Sequence, residues 1–337
     1  MTLKILFWGT PPYAVPTLDA LHSAGHQIVG VVTQPDRRRG RGKQLMPSAV
    51  KARALELGLR VYTPEKIRQD HSCQQQLAEL GADLSVVVAF GQILPPEVLR
   101  QPALGCWNGH GSLLPRWRGA GPIQWSILEG DAQTGVGVMA MEEGLDTGPV
   151  LMERALKIGL LENAHQLGAR LSELTAELMV NAIPLIVKAG PGPEEERLRR
   201  LDVRCQSADV TYARMLLKAD YQVDWSASAL AIHRKVMGLF PGAVTVWKQK
   251  RLKLLVTEPL IERLRSELST DAQQLLGRWP TGEHQPGTVL ESNDAGLVVS
   301  SSGCPLLIRE AQLEGKSRSN GRALVQQLQA TSGDTLG

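Results

Sequence analysis

The sequence lacks any run of about 18 apolar residues, so no membrane-spanning helix is expected. Its four cysteines, Cys73, Cys106, Cys205 and Cys304, stand far apart with no CxxC pair. That spacing argues against a zinc site or a disulfide framework, and for free thiols in a reducing cytosol. Seven scattered histidines form no ligand cluster, so no metal is expected. No GxGxxG follows the first strand signal, which leaves a dinucleotide site unsupported. A formal charge of +3 is too small for a generally basic nucleic-acid binder, and any RNA contact must come from a local patch. The opening run from Met1 to Trp8 is too short for a secretory signal and leads straight into a strand. These absences leave a soluble, cytoplasmic protein, long enough at 337 residues for two ordinary domains.

What is present is an alternation of strand and helix signals. Compact apolar runs at Lys4–Gly9, Ile28–Thr33, near Val61 and at Leu84–Phe90 alternate with helical stretches at Tyr13–Ala24 and Pro47–Leu57. Such alternation predicts a doubly wound, mostly parallel α/β sheet, in which ligands bind beyond the carboxyl ends of the strands. A further strand is predicted at Val136–Met141, and a long helix over Asn163–Val187, kinked or ended near Pro184. The sequence AGPGPEEER from Ala189 then breaks the pattern. The resulting division is a catalytic domain over 1–188, a linker over 189–208 and a second domain over 209–330. In that second part a helix at Ala229–Gly238 precedes short strand signals, which suggest a small β-barrel, with the oligonucleotide-binding (OB) type as one candidate. Its charge is nearly balanced, although Lys248, Lys250, Arg251 and Lys253 could line one surface. The stretch Pro259–Pro286 reads as an insertion with no assigned role.

The chemistry concentrates in Gly105–Gly119, GCWNGHGSLLPRWRG. Residues two apart on a strand share a face, so Asn108 and His110 can point into one cleft. Gly109 and Gly111 between them leave room for a substrate. Downstream, EGLDTGP offers the carboxylate of Asp146 in a glycine-bounded turn. An amide donor, an imidazole and an orienting carboxylate suit acyl or formyl transfer. On the residues alone, an Asn and a His satisfied by backbone groups in a turn is an equal reading. Cys106 has no histidine partner arrangement and reads as a buried strand thiol. The loop Gln34–Gln44 carries five cations in seven residues, Arg37, Arg38, Arg39, Arg41 and Lys43, broken by two glycines. By composition such a run is most simply a flexible, solvated loop.

The run from Asn108 to Gly119, followed by Pro122-Ile123-Gln124 and Gly144–Gly148, resembles the central motif of the folate-dependent formyltransferases. The likeness begins at Phe7–Pro11 and continues, with gaps, to Gly315-Lys316. It implies formyl transfer from 10-formyltetrahydrofolate to the amino group of initiator methionyl-tRNA; the chain is expected to be a monomer. It further implies Asn108, His110 and Asp146 as catalytic groups, and Ser112, Leu113, Leu114 and Pro115 as the folate-binding segment, with Gln92–Pro95 as another wall. The basic loop becomes a contact for the acceptor end of the tRNA, and the second domain an OB-like barrel. Gly109 departs from the family, whose members have a larger apolar residue there, and Trp107 is bulky for its place. Two other classes share the same residues: a formyltransferase or formyl-folate hydrolase acting on small molecules, and an inert RNA-binding protein. The basic loop argues against the first, and the intact triplet against the second.

Overall fold

The computed structural model describes residues 2–39, 44–280 and 282–337. It divides into two compact units: Met1–Pro122, Thr134–Leu156 and Gly168–Arg214 form the first, while Ile123–Gln133, Lys157–Leu167 and Met215–Gly337 form the second.

The apolar runs of the first unit become buried strands. In chain order β1 (Lys4–Gly9) leads to α1 (Val15–Ser23) and β2 (Gln27–Val32). The basic stretch follows as β3 (Arg37–Arg39) and β4 (Gln44–Met46), paired antiparallel with Arg38 opposite Leu45. The stem of the expected loop is thus a short ribbon rather than irregular chain. Next come α2 (Ala49–Glu56), β5 (Val61–Tyr62), α3 (His71–Glu79), β6 (Leu84–Val88), α4 (Pro96–Leu99) and β7 (Cys106–His110). Ser48 and Asp70 accept from the backbone N–H groups of Lys51 and Cys73 and so cap α2 and α3. The remaining elements up to the second unit's main segment are β8 (Arg118–Gly119), α5 (Pro122–Leu128), which from Ile123 counts with the second unit, β9 (Gln133–Ala140), β10 (Val150–Lys157), α6 (Ala164–Ala189), α7 (Glu194–Arg200) and β11 (Tyr212–Ala213).

The main sheet has the order β10-β9-β7-β6-β1-β2-β5. The strands from β5 to β7 run parallel, and β9 pairs antiparallel with β7. Strand order reverses at β1, so the loops after β1, β2, β6 and β7 leave from one edge, the edge where open α/β sheets bind ligands. Trp8 and Phe90 meet edge to face there, with ring centroids 5.2 Å apart.

Two expectations are corrected. First, α6 does not end at Pro184 but runs on to Ala189. Proline forfeits one helical hydrogen bond, yet the flanking Met179, Ala182, Ile183 and Ile186 are buried, and that packing outweighs the local loss. Second, the 189–208 stretch is no linker. It forms α7, whose first turn is acidic and last turn basic, matching the helix dipole. Arg197 is buried, with Nη1 donating to the Leu104 carbonyl at 2.8 Å, and the whole stretch belongs to the first unit.

In the second unit α8 (Ala229–Gly238) packs on β13. The strands β12 (Val244–Trp247) and β13 (Lys250–Pro259) precede α9 (Thr270–Leu275), then β14 (Val289–Asn293), β15 (Gly296–Val299), β16 (Leu306–Leu313), β17 (Ser319–Asn320) and α10 (Gly321–Leu328). They build a six-stranded antiparallel sheet in which β12-β13-β16-β15-β14 are neighbours and β17 adds to β16. Register shifts interrupt the pairing of β13 with β16 around Val256, and the strands form an open path from β12 to β14 in place of the closed barrel expected. The stretch read as an insertion has a structural role: Leu260, Leu268, Ala272 and Leu275 are buried against Val298 and Leu307.

Candidate active site at the end of strand β7

Strand β7 is buried along its whole length, and β6 and β9 pair with its two edges. The pleat sends Asn108 and His110 to one face and Trp107 and Gly109 to the other. The expectation that Gly109 makes room for a substrate therefore fails. A Cβ built on Gly109 would lie 2.4 Å from Thr175 Cγ2 of α6, so the glycine admits that helix side chain instead. Thr175 is fixed there by a 2.7 Å hydrogen bond with the Tyr13 hydroxyl and another to the Leu171 carbonyl. Trp107 is fully buried, and its ring N–H donates to the Leu104 carbonyl at 3.0 Å.

On the other face the expected triplet comes together. Asp146 reaches it from the turn between β9 and β10, with a left-handed backbone (φ 52°). Its Oδ2 accepts the Gly119 N–H at 2.8 Å and lies 3.7 Å from His110 Nδ1. Its Oδ1 accepts a long 3.5 Å hydrogen bond from Asn108 Nδ2. All three side chains are largely withdrawn from solvent, with His110 6% and Asp146 14% exposed. His110 Nε2 stands 2.9 Å from the Trp117 carbonyl. A carbonyl only accepts, so Nε2 carries the proton, and Nδ1 is left to face the carboxylate. At 3.7 Å that pair is within ionic range but is not a hydrogen bond. Trp117 thus orients the imidazole, and Asp146 supplies charge beside the ring nitrogen that can still gain a proton.

The expected folate segment follows directly. Ser112 and Leu114 turn inward: the Ser112 hydroxyl donates to the Arg116 carbonyl at 2.6 Å, and Leu114 packs with Met139 and Val150. Leu113 and Pro115 stay half-buried and keep surface for a ligand. Gln92 is an anchor for its loop, since Oε1 accepts the Ile67 N–H at 2.8 Å and Nε2 donates to the Pro64 and Glu65 carbonyls. Ile93 beside it is exposed. Burial pushes the Cys106 thiol up to about 12, which leaves it protonated and unsuited as a nucleophile.

Arg37 and Arg38 of the basic stretch are exposed, and Arg39 ends β3. Arg41 and Lys43 lie outside the described residues. Lys51 pairs with Asp36 at 2.8 Å at the base of this ribbon. Thr10 and Gln34 both donate to the Phe90 carbonyl, which joins the loops after β1, β2 and β6 on the site's edge of the sheet. Among the described residues no group of three or more His, Cys, Asp and Glu could hold a metal, and no helix is long and apolar enough to cross a membrane.

Sequence reasoning missed the Trp117 carbonyl, the Gly119 amide and the stretch 204–213 that braces them. None carries a local signal, because each acts through backbone or through partners far away in the chain.

Comparison with known proteins identifies the family. Residues 3–183 match the family described as Formyl transferase, and residues 215–329 match Formyl transferase, C-terminal domain. A methionyl-tRNA formyltransferase of Synechococcus sp. (strain WH7803) is 73% identical over 99% of this chain and 98% of its own. One from Prochlorococcus marinus (strain MIT 9303) is 62% identical over the same shares. The chain belongs to the methionyl-tRNA formyltransferase family. Solved structures carry the fold of this family to distant sequences. HypX from Aquifex aeolicus in complex with tetrahydrofolic acid superposes with a TM-score of 0.62 at 16% identity, over 99% of this chain. The chain spans about half of HypX, 49% of its length. The N-formyltransferase from Helicobacter canadensis gives 0.61 at 14% identity, over 91% of this chain and 99% of its own.

Proposed function

We propose that this chain transfers the formyl group of 10-formyltetrahydrofolate to the amino group of initiator methionyl-tRNA. The observation that carries the reading is the meeting of Asn108, His110 and Asp146 on one face beyond the carboxyl end of β7. Family membership supplies the substrates: the 73%-identical relative is named for methionyl-tRNA.

The reaction needs little from the protein, and these residues provide it. The unprotonated amine attacks the formyl carbon; a C–N bond forms and the carbonyl electron pair moves to oxygen. Asn108 Nδ2 donates to that oxygen, and so does Nδ1 of His110 when protonated. Each such donor supplies about 3 kcal/mol of transition-state stabilisation. Asp146 Oδ2, 3.7 Å from His110 Nδ1, places a carboxylate beside that ring nitrogen. Collapse breaks the bond to the folate nitrogen. The proton lost by the amine is returned to that nitrogen through Asp146 and His110 Nδ1, while Nε2 stays committed to Trp117. Leu113 and Pro115 offer the apolar surface for the pterin, and the inward-turned Ser112 and Leu114 hold that loop in shape. Arg37, Arg38 and Arg39, with Arg41 and Lys43, neutralise phosphates of the acceptor end.

The test is incubation with 10-formyltetrahydrofolate and charged initiator tRNA. Formylmethionyl-tRNA is the expected product. Release of formate, or formylation of a free amino sugar with the tRNA left unmodified, would overturn the assignment.

A further inference from the structure

The pair His110 and Asp146 is held by two backbone atoms, the Trp117 carbonyl and the Gly119 amide. Both belong to the segment 114–120, and Asp146 belongs to the turn before β10. A strap formed by residues 204–213 crosses both. At one end Arg204 exchanges backbone hydrogen bonds with Val150, at 2.8 and 2.9 Å. At the other end the Thr211 hydroxyl accepts the Trp117 N–H at 2.9 Å, and β11 pairs with β8. Gly119 is required at that pairing, because its backbone is left-handed (φ 115°) and a Cβ would meet the Ala213 carbonyl at 2.8 Å.

Gln206 lies inside the strap and bonds both segments at once. Its Oε1 accepts from Arg118 Nε and Nη2 at 3.0 and 2.8 Å. Its Nε2 donates to the carbonyls of Asp146 and Gly148 at 2.8 and 2.7 Å. A guanidinium only donates and a carbonyl only accepts, so the amide has a single allowed orientation, with both lone pairs and both N–H groups used. One of those carbonyls belongs to Asp146, whose left-handed backbone is uncommon for a residue with a side chain. The bond from Gln206 holds it there.

We propose that Gln206 is a positioning residue, which fixes the distance between the Asp146 carboxylate and His110 by clamping the Asp146 turn to Arg118. The proposal rests on the roles given above to His110 and Asp146. Gln206 itself touches no reacting atom, and its effect passes through Asp146.

The test compares Gln206→Ala, Gln206→Met and Gln206→Glu, each alone and with Asp146→Asn. Formylation kinetics, thermal melting and ¹⁵N NMR of the His110 ring are measured. A misplacement of about 1 Å at a catalytic group costs about a hundredfold in rate. The expected result is therefore a kcat about a hundredfold lower in each single variant, with KM for folate and tRNA within about threefold. Gln206→Glu should fail like the others, since it keeps an acceptor for Arg118 but has no donor for the two carbonyls. The His110 ring should lose its single Nε2–H signature. In the Asp146→Asn background the Gln206 substitutions should add at most about threefold, because residues acting through one another are not additive. Near-wild-type kcat with an unchanged ring signature, in whichever single variant melts like wild type, overturns the proposal. So does a full multiplicative loss on top of Asp146→Asn. Wild-type rates in His110→Ala and Asp146→Asn would instead overturn the catalytic reading beneath it.

Discussion

Replacing Asp146 by asparagine removes a charge and keeps the size and shape of the side chain. Asparagine tolerates the left-handed backbone found at this position (φ 52°) as well as aspartate does. Its oxygen can still accept the Gly119 N–H, now at 2.8 Å. What is lost is the attraction between the carboxylate and a protonated His110. At 3.7 Å and an effective dielectric of about 20, two unit charges attract by about 4 kcal/mol. The site is mostly closed to solvent, so screening is modest, and the amide dipole recovers a minor part. A second cost follows from geometry. With its oxygen on Gly119, the new amide turns its N–H₂ toward Asn108 Nδ2, which now donates to Oδ1 at 3.5 Å. Two donors then face each other, and Asn108 must rotate away from its own task. The expected loss is about 2 to 4 kcal/mol, roughly 30- to 1,000-fold in the chemical step. Single-turnover formylation with saturating folate donor and charged tRNA measures it, with thermal melting as the check on folding. A rate within about threefold of wild type, in a variant that melts normally, would refute the electrostatic role of Asp146.

Three further outcomes follow from other parts of the chain. Gly109→Ala places a Cβ 2.4 Å from Thr175 Cγ2 and should lower stability by about 1–3 kcal/mol. Adding Thr175→Ser removes that methyl but keeps the hydroxyl bound to Tyr13, so the double variant should melt well above the single one. Arg41→Ala with Lys43→Ala should weaken tRNA binding and flatten its salt dependence by about one to two units, measured as affinity across a salt series, while the folate step stays unchanged. His233 is buried, with Nε2 donating to the Leu160 carbonyl at 2.8 Å, and burial lowers its pKa. The unfolded chain therefore binds the extra proton first, and stability should fall as pH drops through about 6.5. His233→Gln should be less stable at neutral pH and lose much of that slope in melts between pH 5 and 7.5.

The sequence alone placed Asn108 beside His110 and carried the parallel sheet and the division into an α/β part and a β part. These rest on signals read locally. Period-2 projection places Asn108 beside His110, unbroken apolar runs such as LSVVV mark central strands, and a long motif marks the family. The face of Gly109 was also implicit in that alternation, but its occupant was not. Thr175 lies 66 residues away, and only the packing of α6 on the sheet brings it there. Local composition misled where tertiary burial overruled it. Pro184 reads as a helix end until Ile183 and Ile186 are seen to be buried, and the charged run after Pro193 reads as a linker until Arg197 reaches Leu104. Most of the site's geometry was decided by tertiary structure for one reason. The groups that fix His110 and Asp146 are a carbonyl, an amide N–H and the side chain of Gln206, whose partners Arg118, Asp146 and Gly148 are 58–88 residues away. Backbone atoms are the same at every position and an isolated glutamine has no period. Their roles exist only once the chain has folded them together.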